Sequence, residues 1–318
     1  MTPAGPQDAT GRDPRIHVDL RHLLRLGNGA RSLSLLPRQP AHSVLNGRHA
    51  SKLRGRGLNF EELRGYQTGD DIRTIDWKVT ARTGKPHVRV YTEERDRPTL
   101  VLVDQRMSMF FGSRQYMKSV VAAEAAAIAA HRLLAQGDRV GGLVFGDSTI
   151  AEHRPIRSPG ALYRLLASMA EANQRLHAQA RATAPDTLNR VLQAASRIAK
   201  TNYLVLVFSD FDGTDETTEP LIRRLAQNND VLLFSVTDTL GRTLPARFRL
   251  VASDGELQAE LDGSADDTRQ RLQDMLTGRL DRVAGWARKY GLPFLPLDTD
   301  APALEQLHRL FGHARGPR

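Results

Sequence analysis

The chain contains no cysteine, which excludes disulfides, thiolate nucleophiles and any zinc or iron–sulfur site built on Cys. It has no run of about 18 apolar residues, so no membrane-spanning helix is expected, and its first 25 residues lack an apolar stretch of signal-peptide length. The sequence reads as a cytoplasmic protein. Common catalytic scaffolds are missing too. The ten histidines form no HExxH pair, no GxxxxGKS/T loop is present to hold a nucleotide phosphate, and no GxSxG elbow presents a serine.

What remains is ordinary globular material: 40% hydrophobic and 25% charged residues in a chain of 318, enough for a large α/β domain with a smaller attachment. The formal net charge is +9, and it is unevenly spread. Residues 1–98 hold 18 Lys and Arg against 11 Asp and Glu, whereas the remainder holds 27 against 25. A nucleic acid, an anionic membrane surface or an acidic protein face could each answer that basic N-terminal part; so could a merely soluble, arginine-rich surface.

The pattern predicts a disordered tail over 1–16, where Pro and Gly punctuate polar residues. An N-terminal helix and β-rich subdomain follow over 17–97, then an α/β domain over 98–312 and a short tail, 313–318. In the second segment Val18, Leu20, Leu23, Leu24 and Leu26 carry helical spacing, and Gly27-Asn28-Gly29 reads as a turn ending that helix. From residue 98 strands alternate with helices, which predicts a doubly wound, mainly parallel sheet. Thr99–Asp104 is a continuous apolar run suited to a strand covered on both faces. The Ala-rich stretch Gln115–Gln136 is a helix stopped at Gly137.

Two motifs stand out. Residues 64–82 pack Arg64, Asp70, Asp71, Arg73, Asp76, Trp77 and Arg82 into one block. Its charges can neutralise one another around a buried Trp77 ring, giving a structural brace. Carboxylates paired on a turn can also do acid–base work, but no nucleophile or substrate pocket accompanies them. The second motif is Asp104-Gln105-Arg106-Met107-Ser108. In open α/β sheets ligands bind beyond the carboxyl ends of the strands, where Asp104 and Asp210 each end one. Asp104, Ser108, Thr187 and Asp210, with Thr183 behind, offer oxygens for Mg²⁺.

At these residues the chain resembles the von Willebrand factor A-like fold, whose metal-ion-dependent adhesion site uses Asp-x-Ser-x-Ser, a Thr and a later Asp. Together with GDDIRTIDW, Thr80-Ala81-Arg82, Glu94-Arg95 and Gly137-Asp138-Arg139-Val140-Gly141, it resembles the bacterial domain-of-unknown-function 58 family over about Asn46–Leu310. The resemblance implies a von Willebrand-type domain with a β-rich N-terminal part, working as an adaptor or chaperone-like partner of a MoxR-type AAA+ ATPase. One position departs from the metal motif. Arg106 stands where the first Ser is expected, and a guanidinium has no lone pair to give a cation. Arg106 can reach between Asp104 and Asp210 in place of the metal, or leave the site for solvent or a partner.

The reading is therefore a non-enzymatic interaction module. It docks a partner through Asp104, Arg106, Ser108, Thr187 and Asp210, and needs no cofactor; Mg²⁺ is opposed by Arg106. Nucleic-acid binding by the basic N-terminal part and metal-assisted hydrolysis by Asp104 and Asp210 are the alternatives.

Overall fold

A computed structural model describes residues 13–33, 58–67, 75–93, 97–178, 186–242, 249–253, 258–262 and 266–312. Contacts divide the chain into two compact units, Gln39–Asp96 and Met1–Arg38 with Arg97–Arg318. In chain order the elements are α1 (Leu20–Ala30), β1 (Leu58–Gly65), α2 (Trp77–Thr83), β2 (His87–Glu93) and β3 (Pro98–Asp104). A single 3-10 turn, Met107–Met109, leads to α3 (Lys118–Ala135), β4 (Arg139–Phe145), β5 (Ile150–Ile156), α4 (Pro159–Gln174) and α5 (Thr187–Ile198). Then come β6 (Leu204–Ser209), α6 (Thr218–Asn228), β7 (Asp230–Thr237) and the short α7 (Thr239–Arg242). The chain closes with β8 (Arg249–Ser253), β9 (Gln258–Asp262), α8 (Asp266–Tyr290), β10 (Phe294–Asp298) and α9 (Ala303–Phe311). Among the described residues no helix is long and apolar enough to cross a membrane.

The larger unit is built on a six-stranded sheet of order β10-β7-β6-β3-β4-β5, parallel except for β5, which runs antiparallel to β4 at one edge. Helices cover both faces, so the apolar strands are buried on both sides and alternate between two cores. In β3, Val101 and Val103 enter one core while Leu100 and Leu102 enter the other. On the first face α3 is buried almost all round. Its run of alanines presents little side-chain bulk and lets α1, α4 and α9 close around it. Gly137, with φ of 95°, ends this helix in a conformation that favours glycine. β8 and β9 form a separate antiparallel pair.

The first helix belongs to this larger unit, whereas the sequence grouped it with the β-rich part over residues 17–97. Asp19 caps it by accepting the His22 N–H. Gly27-Asn28-Gly29 is not the expected turn, because α1 runs through it to Ala30. The reason is packing. A Cβ at Gly27 would stand 2.8 Å from His131 Nδ1, and one at Gly29 would stand 2.6 Å from Leu304 Cδ2. Glycine here lets α1 approach α3 and α9 rather than end.

In the smaller unit β1 pairs antiparallel with β2, and Ile75 bridges to Val88 on the far side of β2. Asp76 caps α2, accepting the Lys78 and Val79 N–H groups at 3.0 and 3.1 Å. Gly84 closes it at a φ of 71°. The expected buried brace is corrected at one position: Trp77 is 69% exposed, because it occupies the first turn of α2 on its open face. Arg64 donates to the Gly65 carbonyl at 3.2 Å, and Arg82 is exposed in the last turn of α2. Asp70, Asp71 and Arg73 lie outside the described residues.

Candidate functional site

The parallel strands bring Asp104, at the end of β3, and Asp210, just beyond β6, to the same end of the sheet. Both are buried, at 0% and 2% exposure. Carboxylates taken this far from water require compensation, and side chains from several elements supply it. Arg106 turns back onto Asp104 as a two-pronged pair, with Nε to Oδ1 at 2.9 Å and Nη2 to Oδ2 at 2.7 Å. Its own backbone N–H adds a bond to Oδ1 at 3.1 Å. The Ser209 hydroxyl, next to the strand end, donates to Asp104 Oδ2 at 2.6 Å.

Arg106 is itself only 3% exposed. Its remaining prong, Nη1, donates to the Asp212 carbonyl at 3.0 Å, and Nη2 stands 3.7 Å from Asp210 Oδ1. The guanidinium carbon lies 5.7 Å from the centre of the Phe145 ring. Burial works against its charge, yet Asp104, followed by Asp210 and Asp212, raises its pKa well above the ordinary arginine value. Of the two placements open to Arg106, the structure has the one between the carboxylates.

Asp210 is answered by Lys118, the first residue of α3, whose Nζ donates to Oδ2 at 2.6 Å. The Ser108 hydroxyl and the Asp212 N–H reach Oδ1 at 3.3 and 3.0 Å. Burial alone would raise the Asp210 carboxyl; Lys118, with Arg279 and Arg106 behind it, holds it well below the usual carboxylate range. Phe211 adopts a positive φ of 57°, a conformation costing a bulky residue about 1 kcal/mol. That turn brings the Asp212 N–H to Asp210 and its carbonyl to Arg106. Arg279 of α8 forms an ion pair with the Asp212 carboxylate.

The edge hairpin completes the site. Asp147, between β4 and β5, accepts the Met107 N–H at 2.8 Å, and burial pushes its carboxyl up. Thr187 is buried and gives its hydroxyl to the Asp147 carbonyl at 2.8 Å, so it steadies the hairpin. Gln105 donates to the Ser119 carbonyl and accepts from Asn173, whose Oδ1 takes the Val18 N–H. This chain of buried bonds ties the loop after β3 to α3, α4 and the segment before α1. Nearby, His17 stacks on Phe110 at 5.7 Å.

The sequence reading thus places Asp104, Arg106, Ser108 and Asp210 together. Thr187 reaches the site through Asp147, and Thr183 lies outside the described residues. Asp104, Arg106, Thr187 and Asp210 are buried, so the surface above them is presented by Met107–Phe111, the Asp147 turn and the Asp212–Thr217 loop, with Phe111 37% exposed. Sequence reasoning placed Ser209 among the site-lining hydroxyls and missed Lys118, Asp147 and Arg279 as members. Lys118 had a signal, being a lysine among the inward-facing residues of an alanine-rich helix.

A family model described as "Protein of unknown function DUF58" matches residues 62–279. Uncharacterized proteins of Mycobacterium tuberculosis and Mycobacterium bovis are 30% identical over 296 residues, covering 92% of this chain and 90% of theirs. Among solved structures, that of the conserved hypothetical protein BatB from Bacteroides thetaiotaomicron is similar at 10% identity with a TM-score of 0.38. It covers 67% of this chain and 98% of that one.

Proposed function

The chain belongs to the DUF58 family, a membership that supplies no activity, and we propose from the site that it is a non-enzymatic protein-interaction module of von Willebrand factor A-like type. Its site is a degenerate metal-ion-dependent adhesion site in which a guanidinium takes the place of the cation. A MoxR-type AAA+ ATPase is the partner implied by the family resemblance, and the protein works as its adaptor in the cytoplasm. The observation that carries the proposal is the two-pronged Arg106–Asp104 pair beneath the sheet-top loops.

As placed, these residues do not fit a divalent cation. Both Asp104 oxygens are taken by Arg106 and Ser209, Asp210 is taken by Lys118 and the Asp212 N–H, and the Thr187 hydroxyl faces a carbonyl. Two fixed positive charges beside the would-be ligands oppose a third. The same pairs argue against acid–base catalysis, since Asp210, held well below the usual carboxylate range, has no proton to give near neutral pH and, with its oxygens tied to Lys118 and the Asp212 N–H, is a poor base. The buried ion pairs instead support the loops above them, where Phe111 and the rim of Asp147 and Asp212 are the groups a partner can touch. A partner carboxylate does not reach Arg106 unless these loops move.

Calorimetric titration with Mg²⁺ and Mn²⁺ tests the proposal. The unaltered protein is expected to show no tight site. Arg106→Ser, which frees Asp104 and restores the adhesion motif, gains only weak binding because Lys118 still holds Asp210. Tight binding by the unaltered protein would falsify the proposal.

One observation favours a second reading, nucleic-acid binding by the basic N-terminal part. The exposed Trp77 sits on a helix that also exposes Lys78 and Arg82, a pairing of stacking ring and cations suited to a single strand. Single-stranded DNA should then quench tryptophan fluorescence, with affinity falling steeply as salt rises. The signal should vanish in Trp77→Ala; unchanged quenching in that variant removes this reading.

A further inference from the structure

The opposite end of the sheet has a different charge balance. α5 and α6 end there, beside the first residues of β6 and β7. Between them lies a cleft of about 510 Å³ whose lining includes Ser196, Arg197, Lys200, Arg224, Gln227 and Asn228. Among the described residues no carboxylate lines it. Among the described residues, the side chains of Arg197, Lys200 and Arg224 make no ion pair or hydrogen bond. Asp230, the acid at the start of β7, is engaged by Arg97 at 2.6 Å. Arg197 also lines an adjoining groove of about 480 Å³ that contains Glu152, Arg154 and Tyr203.

Cations at helix C-termini ordinarily serve the last carbonyls and the negative end of the dipole. Here three of those carbonyls are already occupied. Asn229, 8% exposed, donates through Nδ2 to the Ala199 and Leu225 carbonyls, both at 2.9 Å. The Asn202 N–H, from a residue with φ of 60°, reaches the Asn228 carbonyl at 2.8 Å. The floor of the cleft is therefore fixed by asparagines, and the three cations around it hold no carbonyl or carboxylate; Arg197, in the last turn of α5, faces only the weak negative end of that helix. Like charges gathered around one concavity raise its potential and concentrate anions.

We propose that this cleft binds a compact phosphate-bearing anion, with the charge met by Arg197, Lys200 and Arg224 and the remaining oxygens by Ser196, Gln227 and Asn228. Two features select the ligand class. Its volume falls in the range of small-molecule sites, about 300–1,000 Å³, and two arginine forks with one lysine suit a multiply charged phosphate better than a single carboxylate. The cleft lies at the amino ends of the strands, away from the crevice that α/β sheets commonly use. It is independent of whatever binds above Asp104. The phosphate can belong to a free di- or triphosphate group or to a nucleic-acid backbone; the concave shape favours the former.

Isothermal titration of the full chain with inorganic pyrophosphate at low salt tests the assignment, beside a single-stranded oligonucleotide. One-to-one pyrophosphate binding is expected. Arg224→Ala should weaken it about tenfold, the loss of one charge-assisted hydrogen bond. The double change Arg197→Ala with Lys200→Ala should weaken it further, while Arg114→Ala, an exposed arginine at the other end of the sheet, leaves it unchanged. These positions are exposed, and circular dichroism checks that each variant folds. No pyrophosphate binding, or equal binding in the double variant, would overturn the proposal. Binding of the oligonucleotide alone would overturn it in favour of a nucleic-acid contact.

Discussion

At the carboxyl end of the sheet Arg106, Lys118 and Arg279 each hold an aspartate, whereas at the amino end Arg197, Lys200 and Arg224 surround a cleft with no acid among the described residues of its lining. The difference follows from burial. Asp104 and Asp210 are out of reach of water, so each requires an internal partner, and a cation removed from one of them leaves a charge that nothing solvates. The cleft cations are exposed and keep their hydration, so they can await an external anion at little cost. The first arrangement fixes structure; the second keeps charge available for binding.

The largest effect should come from breaking the buried pair. Arg106→Ala leaves Asp104 with only a hydroxyl and a backbone N–H, and unfolding in urea should show a loss of about 3–5 kcal/mol. A loss below about 1 kcal/mol would mean that Asp104 is solvated or protonated, and the contrast between the two ends would collapse.

Lys118→Met should cost less, about 2–3 kcal/mol at neutral pH, because Arg279 and Arg106 still face Asp210. Its pH dependence is the sharper observation. The folded-state pKa of Asp210 lies below its unfolded value, so the stabilisation is fully present above the unfolded pKa, about 4. It is lost as pH falls from there toward the folded pKa. In Lys118→Met the folded pKa rises. The stability gap between the two proteins should therefore be full near neutrality and narrow below about pH 4. A gap that stays constant with pH would show that Lys118 acts by packing alone.

How much of this was legible beforehand depends on where a partner lies along the chain. Asp104 could be placed because six residues of apolar strand precede it, and Asp210 for the same reason. The Arg106 departure was visible within the motif, and two residues suffice to form the pair with Asp104. Arg279 was not legible as a site member, and Lys118 only as a lysine on an alanine-rich helix without a visible partner, since they reach Asp212 and Asp210 across 67 and 92 residues of sequence. Only the strand order brings them there. Trp77 was misplaced for a different reason: aromatic residues among charges suggest a buried ring, but the Asp76 cap starts a helix whose first residue faces outward. Gly27 and Gly29 misled likewise, because a glycine pair signals a turn locally and a close helix contact only when the neighbouring helix is known.

The smallest expected effect falls on the other side of the comparison. Replacing Arg197, Lys200 and Arg224 together with alanine should change unfolding free energy by no more than about 0.5 kcal/mol, the range of surface substitutions without specific contacts. Relief of repulsion among three like charges could even make the change slightly favourable at low salt, and added salt should erase that gain. The helix ends do not depend on these cations, because Asn229 holds the Ala199 and Leu225 carbonyls. If the triple variant instead lost more than about 1 kcal/mol in urea, the cations would be serving the fold after all. Asn229→Ala supplies the counterpart: it strips two carbonyls of their donor and should cost about 1–3 kcal/mol. A stable triple variant beside a weakened Asn229→Ala would separate the charge of the cleft from its framework, as a site kept for an external anion requires.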